Sequence, residues 1–213
     1  YILLIFFFFF SFAVSSLNRG LLRKINLGVN YLFKRSGYYY LLGDYERAVQ
    51  YFTREIENEP AHIINHYLAR ASCYLLMGQK ERALPDVERT LKIEPNHAYA
   101  LELRGEVYAL EKNYDAALEL FSRVQATSPH WAVPYFDRGS VLMDQKDFSS
   151  ALSELNKAIS LLSQFSLFYV IRSIAHFRLG NLNAAHKDQD QAISLSEKDA
   201  LTMVDANMQV YED

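Results

Sequence analysis

One cysteine, Cys73, stands in 213 residues, so no disulfide can close within the chain. Five prolines and eight glycines are too few for a disordered or loop-rich chain. Acid is absent before Asp44. The first 43 residues carry only Arg19, Arg23, Lys24, Lys34 and Arg35 as formal charges. The remainder is therefore acidic, at −8 against −3 for the whole chain, which separates two regions with different surroundings. Bulk charge points to no nucleic-acid partner. There is no Gly-rich phosphate loop and no Gly-x-Ser-x-Gly. Half of the residues are hydrophobic, enough for one or two globular domains or one elongated array.

What is present begins with an apolar run, "YILLIFFFFFSFAV", broken only by Ser11. A spanning helix needs about 20 apolar residues, so residues 1–16 are ambiguous. Three readings compete. The first is the end of a membrane anchor, with the basic amphipathic linker 17–28 on the cytoplasmic side. The second is a truncated secretory signal, with the small Ala13 and Ser15 at its cleavage site and a lumenal or secreted product. The third is a non-functional extension.

Self-similarity governs the rest. Ala48, Ala83, Ala117, Ala151 and Ala185 are spaced by 35, 34, 34 and 34 residues. Four residues after each stand Phe52, Val87, Phe121, Leu155 and Gln189. Three before stand Tyr45, Lys80, Tyr114, Phe148 and Leu182, which marks one face of a helix. Twelve residues before each Ala is a small residue: Ser36, Ala71, Gly105, Gly139 or Ser173. Tyr39, Tyr74, Tyr108, Leu142 and His176 follow three residues later, giving a second helix with its own small-plus-large face. Small residues facing small ones predict two closely packed antiparallel helices. Gly43, Gly78 and Gly180 predict left-handed helix ends, and Pro60, Pro95 and Pro129 close three units.

This pattern resembles the tetratricopeptide repeat (TPR) family, whose unit is 34 residues and two helices. The resemblance covers residues 29–199 as five repeats: 29–62, 63–97, 98–131, 132–165 and 166–199. Residues 200–213 are expected to form a closing helix. The implied fold is all-α, a TPR α-solenoid. Terminal repeats depart from the pattern: Gln189 and Glu197 stand where Phe and Pro are expected.

Arg35, Arg70, Arg104, Arg138 and Arg172 recur in one position of the repeat. Sixteen residues after three of them stand Asp86, Glu154 and Asp188, so ion pairs within each repeat are expected rather than an anion-binding ladder. Tyr51 and Leu120 stand there instead for Arg35 and Arg104, and a helix-end carbonyl is the expected acceptor for these two. A catalytic set does not assemble. Cys73 and His176 are expected to pack in the core, and Trp131 at a junction between repeats. His62 and His66 lack further ligands for a metal. No cofactor, metal or catalytic residue is expected.

The resemblance implies that first helices line a concave groove. Projection from helix spacing gives Asn30, Phe33, Gly37 and Tyr40 in repeat 1, and Asn65, Leu68, Ser72 and Leu75 in repeat 2. Repeat 3 gives Tyr99, Glu102, Glu106 and Ala109. Repeat 4 gives Val133, Phe136, Ser140 and Met143, and repeat 5 gives Leu167, Val170, Ile174 and Phe177. Glu102 and Glu106 place like charges on one turn, which a basic partner would relieve. Repeats 4 and 5 offer an apolar stripe, to be covered either by a partner or by the closing helix through Leu201, Met203, Val204 and Met208, or by a sixth repeat. Some TPR co-chaperones clamp acidic peptide ends with groove Lys and Arg, and this groove has neither. The expected partner is a peptide or helix with apolar anchors and a basic residue. The function expected is a non-catalytic protein-interaction scaffold, such as a membrane-tethered assembly factor or co-chaperone. The alternatives are a regulatory or substrate-recruiting region of a larger enzyme, and a lumenal co-chaperone.

Overall fold

The computed structural model describes residues 35–58 and 63–211, the side chains of Leu41 and of 197–211 excepted. Among the described residues every regular element is an α-helix. They are α1 (Arg35–Leu41), α2 (Tyr45–Asn58), α3 (Ile63–Leu76), α4 (Lys80–Ile93), α5 (Ala98–Leu110), α6 (Tyr114–Thr127), α7 (Val133–Asp144), α8 (Phe148–Leu161), α9 (Ser166–Arg178) and α10 (Leu182–Tyr211). The apolar segment 1–16, the linker 17–28, and Asn30, Phe33, Pro60 and His62 lie outside the described residues. No described helix is long and apolar enough to cross a membrane.

Two compact units divide at Leu103 and Arg104, within α5. In the first, α1 packs on α2, α2 on α3 and α3 on α4. In the second, α6 packs on α7, α7 on α8, α8 on α9 and α9 on α10. Consecutive helices are thus neighbours from α1 to α4 and from α6 to α10, as paired repeats require.

The recurring alanines are all buried, at α2, α4, α6, α8 and α10. So are Ser36, Ala71, Gly105, Gly139 and Ser173. The two glycines mark where the paired helices approach most closely. A Cβ built on Gly105 would lie 2.6 Å from Phe121 Cε1, and one on Gly139 would lie 3.0 Å from Leu155 Cγ. At these two positions the small site of the first helix receives the large residue four after the alanine, and Ala151 O also lies 3.5 Å from the Gly139 Cβ position, so the helices approach closely while Phe121 or Leu155 fills the gap.

The turns inside the pairs share one hydrogen-bond pattern. Gly43 N–H donates to Tyr40 O and Asp44 N–H to Tyr39 O. The same two bonds recur from Gly78 and Gln79, Lys112 and Asn113, Lys146 and Asp147, and Gly180 and Asn181. This is the Schellman arrangement, which needs a left-handed residue at its first position. Gly43, Gly78 and Gly180 supply it at φ 71–79°, as expected. Lys112 (φ 59°) and Lys146 (φ 64°) hold the same backbone in the other two pairs. A side chain there costs about 1 kcal/mol relative to glycine. Lys112→Gly or Lys146→Gly is expected to raise stability by about that amount in urea unfolding, and unchanged midpoints would count against the strain.

In two of the five pairs the next residue, an Asp, caps the following helix with its side chain. Asp147 Oδ1 accepts from Ser150 N at 3.1 Å, and Asp44 Oδ1 from Arg47 N at 3.1 Å. Hydrogen bonds from the Ser150 side chain and amide hold the Asp147 carboxyl below its ordinary value.

Residues 200–211 are helical, as expected of a closing helix, and they continue the second helix of repeat 5. α10 runs without a break from Leu182 to Tyr211, so the second helix of repeat 5 and residues 200–211 are one element. No turn exists to fold Leu201–Met208 back along α9.

Candidate functional site

The Arg position forms the most regular polar feature. Arg70 donates Nε to Asp86 Oδ2 at 2.7 Å and Nη2 to Oδ1 at 2.8 Å. Arg172 grips Asp188 the same way, at 2.8 and 2.6 Å. Arg138 lies 3.6 Å from Glu154, with Gln125 bridging the two. The expected intra-repeat pairs are present, and their bidentate geometry suits guanidinium and carboxylate. Hydrogen bonding by Asp86 raises the Arg70 pKa. Spacing alone did not reveal a second contact: Arg70 Nη1 reaches Thr53 and Arg172 Nη1 reaches Asn156, both on the second helix of the preceding pair. Each of these arginines therefore joins three helices. Arg104, which has no acid sixteen residues on, lies over the Tyr108 ring at 4.4 Å and donates to its hydroxyl.

One buried polar group was missed. Ser36 Oγ donates to Glu55, with Oε1 at 2.7 Å and Oε2 at 2.9 Å, and the same carboxylate lies 3.5 Å from His66 Nε2. His66 is fully buried. The equivalents of Glu55 are Thr90, Val124, Ala158 and Ala192, and those of His66 are Ala100, Pro134 and Phe168, all of them buried. Repeats 1 and 2 thus share a polar trio, and the residues equivalent to Glu55 and His66 in later repeats are small or apolar. Only a repeat-by-repeat comparison of these positions could have signalled it.

Cys73 is buried, and burial pushes its thiol up to about 12, which leaves no thiolate for nucleophilic chemistry at neutral pH. His176 Nε2 lies 4.0 Å from Asp188, beside the Arg172 pair. A shallow cavity formed by Ser163, Gln164, Tyr169, Lys187 and the engaged Arg172–Asp188 pair shows no nucleophile with a base.

The projected groove residues divide by burial. Gly37, Tyr40, Leu68 and Ser72 are buried or nearly so, Leu75 is half-buried and Asn65 is exposed. Tyr99 is half-buried, its hydroxyl 2.6 Å from Ser72 Oγ, which places two projected neighbours together. Glu102 is only 2% exposed, so it does not present an open charge beside Glu106 as projected. Periodicity fixes its angle around α5 but not which arc is covered. Val133 is buried as well. Glu106, Ala109, Phe136, Ser140, Met143 and Leu167 are half-buried. Phe136 stacks on Phe168 with centroids 4.8 Å apart, and Met143 packs against the Leu155–Ala175 cluster. Exposure concentrates on α9, at Val170 (40%), Ile174 (43%) and Phe177 (63%). In the second unit the carboxylate oxygens of Glu106 and Asp137 lie within 4.8 Å of each other.

Residues 62–212 match the ETO1 C-terminal domain family, and residues 29–62 match the tetratricopeptide repeat. The chain belongs to the ETO1 C-terminal domain family. Its helix pairs are tetratricopeptide repeats. As a member of the ETO1 C-terminal family it is similar over part of its length to RNA polymerase II-associated protein 3 of Mus musculus, at 31% identity over 98 residues, 46% of this chain and 15% of that protein. It is also similar to heat shock protein STI1 of Saccharomyces cerevisiae, at 32% identity over 95 residues, 43% and 16% of the two chains. The chain thus spans about a sixth of the length of the curated relatives it matches. Among solved structures, a thermophilic TPR protein of Thermus thermophilus superposes with a TM-score of 0.69 at 18% identity, covering 83% of this chain and 95% of that one. MamA superposes with a TM-score of 0.59 at 20% identity, covering 79% and 98%. At these identities the likeness shows the fold of the ETO1 C-terminal family chain.

Proposed function

We propose that the chain is a non-catalytic protein-interaction module that holds a segment of a partner on the face lined by its first helices. The observation that carries the reading is the exposed apolar line Val170, Ile174 and Phe177. At the position of Ile174 the preceding repeats have Ser72, Glu106 and Ser140, so repeat 5 alone among these places an aliphatic side chain there. Apolar side chains gathered on one exposed face mark a site of association. The curated relatives, TPR-type proteins named as polymerase-associated and heat-shock proteins, support the scaffold class. Within the second unit Glu106, Phe136, Ser140, Met143 and Leu167 complete the projected set. The projected positions from Arg104 onward contain no Lys or Arg, so the partner segment is basic or neutral rather than acidic. Tethering to a membrane through residues 1–16 stays part of the proposal.

A photo-crosslinking residue at Ile174 is expected to capture a discrete partner in cells, and the same residue at the exposed Ser153 of α8 is not. Equal capture at both positions, or none at Ile174, would remove this reading. A second reading, a regulatory or substrate-recruiting region of a larger enzyme, draws on the relatives' far greater length.

A further inference from the structure

We infer that the cavity between the α8–α9 loop and α10 binds a small organic acid, its carboxylate held by Lys187 with Ser163, Gln164 and Gln191. The site is separate from the α9 apolar line and does not depend on it. The cavity measures about 390 Å³, within the range of small-ligand sites. Comparison between repeats shows where it comes from. Repeat 2 has the same ring, arginine and acid, as Tyr67, Arg70 and Asp86. There Arg89 covers them, with its guanidinium 5.6 Å from the Tyr67 centroid and Nη1 3.4 Å from Asp86 Oδ1. The position of Arg89 is basic in four repeats, as Arg54, Arg89, Arg123 and Lys157, and is Gln191 in the fifth. The shorter, neutral side chain leaves a cavity bordered by Tyr169 and the Arg172–Asp188 pair.

The cation returns one turn earlier. Lys187 stands where the other repeats have Gln50, Pro85, Glu119 and Ser153. Ser163 likewise stands where Pro60, Pro95 and Pro129 close their repeats. Both line the cavity together with Gln164 and Gln191. Among the described residues none of these four side chains has a hydrogen bond or an ion pair. An ammonium, two amides and a hydroxyl are therefore open to a ligand.

Charge fixes the class of ligand. Arg172 grips both oxygens of Asp188, at 2.8 and 2.6 Å, so that pair is neutral as a unit. Lys187 is the cation left over among the lining residues. It attracts an anion and disfavours the guanidinium that fills the equivalent space in repeat 2. One unmatched positive charge suits a carboxylate. A phosphate dianion would lack a second cation and would lie beside Asp188. The Tyr169 ring, held by its hydroxyl bond to Ser163 O at 3.0 Å, and the Leu195 side chain supply an apolar wall. The acid therefore carries an apolar group next to its carboxylate.

The test is calorimetry on the full chain with N-acetylphenylalanine, its neutral amide and N-acetylargininamide. The acid is expected to bind with a Kd of about 1 mM or tighter, and about 10-fold tighter than either amide. Lys187→Gln should weaken the acid about 10-fold, and Lys187→Arg should not. Gln191→Arg restores the residue type of the other repeats, so its melting temperature should match the parent. Its guanidinium should fill the cavity and abolish binding. No binding of the acid at about 10 mM overturns the inference. So does equal binding of the acid and its amide, tighter binding of N-acetylargininamide, or undiminished binding to Gln191→Arg. Acetyl-Ala-Ala-Phe separates the two sources of such a carboxylate. Weaker binding than the single residue supports a free acid, and tighter binding overturns it in favour of a chain terminus.

Discussion

Gly105→Val should destabilise the protein by about 3 kcal/mol, at the upper end of the cost of overpacking a core. The methyl groups would enter space already held by Phe121, which is fully buried and has no free side to move into. Gly105→Ala sharpens the test because two effects oppose. Replacing a mid-helix glycine gains about 1 kcal/mol of helix propensity. The clash at 2.6 Å outweighs that gain, so a net loss is expected. At Gly139 the nearest atoms belong to Leu155, at 3.0 and 3.2 Å, and a leucine can shift its branch. Gly139→Ala should therefore lie within about 0.5 kcal/mol of the parent as propensity and crowding cancel. In a Phe121→Ala background, Gly105→Val should cost less than about 1 kcal/mol, because the cavity accepts it. Urea midpoints measure all four. A Gly105→Val protein unfolding with the parent would refute the packing account.

Asp86→Ala is expected to cost about 3–5 kcal/mol, the range for removing one partner of a buried ion pair. Asp86 is almost fully buried, and Arg70 would keep only its bond to Thr53. Asp188→Ala should behave alike, with Asn156 in the role of Thr53. Glu154→Ala should cost no more than about 1 kcal/mol, since its contact with Arg138 is long and partly exposed. Replacing both members, Arg70→Met with Asp86→Leu, should recover most of the loss. Repeat 3 already lacks the acid, having Leu120, so the pairing is not needed to form a hairpin. Thermal unfolding of the series decides the matter. A double variant as unstable as Asp86→Ala would show that the pair does more than satisfy its own burial.

Much of the fold was legible because its determinants recur. A position occupied by Ala in five copies can only be a contact point, and an acid sixteen residues after an Arg can only reach it across a hairpin. The candidate site was less legible. Helical spacing gave the angle of Glu102, Val133, Val170 and Phe177 around their helices. It did not say that Glu102 and Val133 would be covered while Val170 and Phe177 would stay open. Coverage depends on neighbours distant in sequence. The Ser36–Glu55–His66 trio escaped for a related reason: each residue looks ordinary for a helix surface, and only the third dimension shows that they share one interior. Lys112 and Lys146 escaped because a left-handed turn is expected of glycine, and the surrounding hydrogen bonds overrode that preference.

The paired turns hold identical bonds, and the alanine always comes twelve positions after its small residue. The one supernumerary residue of the array lies before Ala71, outside that fixed interval. Drift in length can therefore accumulate only at the joints between hairpins. A residue gained inside one would rotate half its seam toward water, whereas one gained at a joint is absorbed by loop or by a slightly longer helix start.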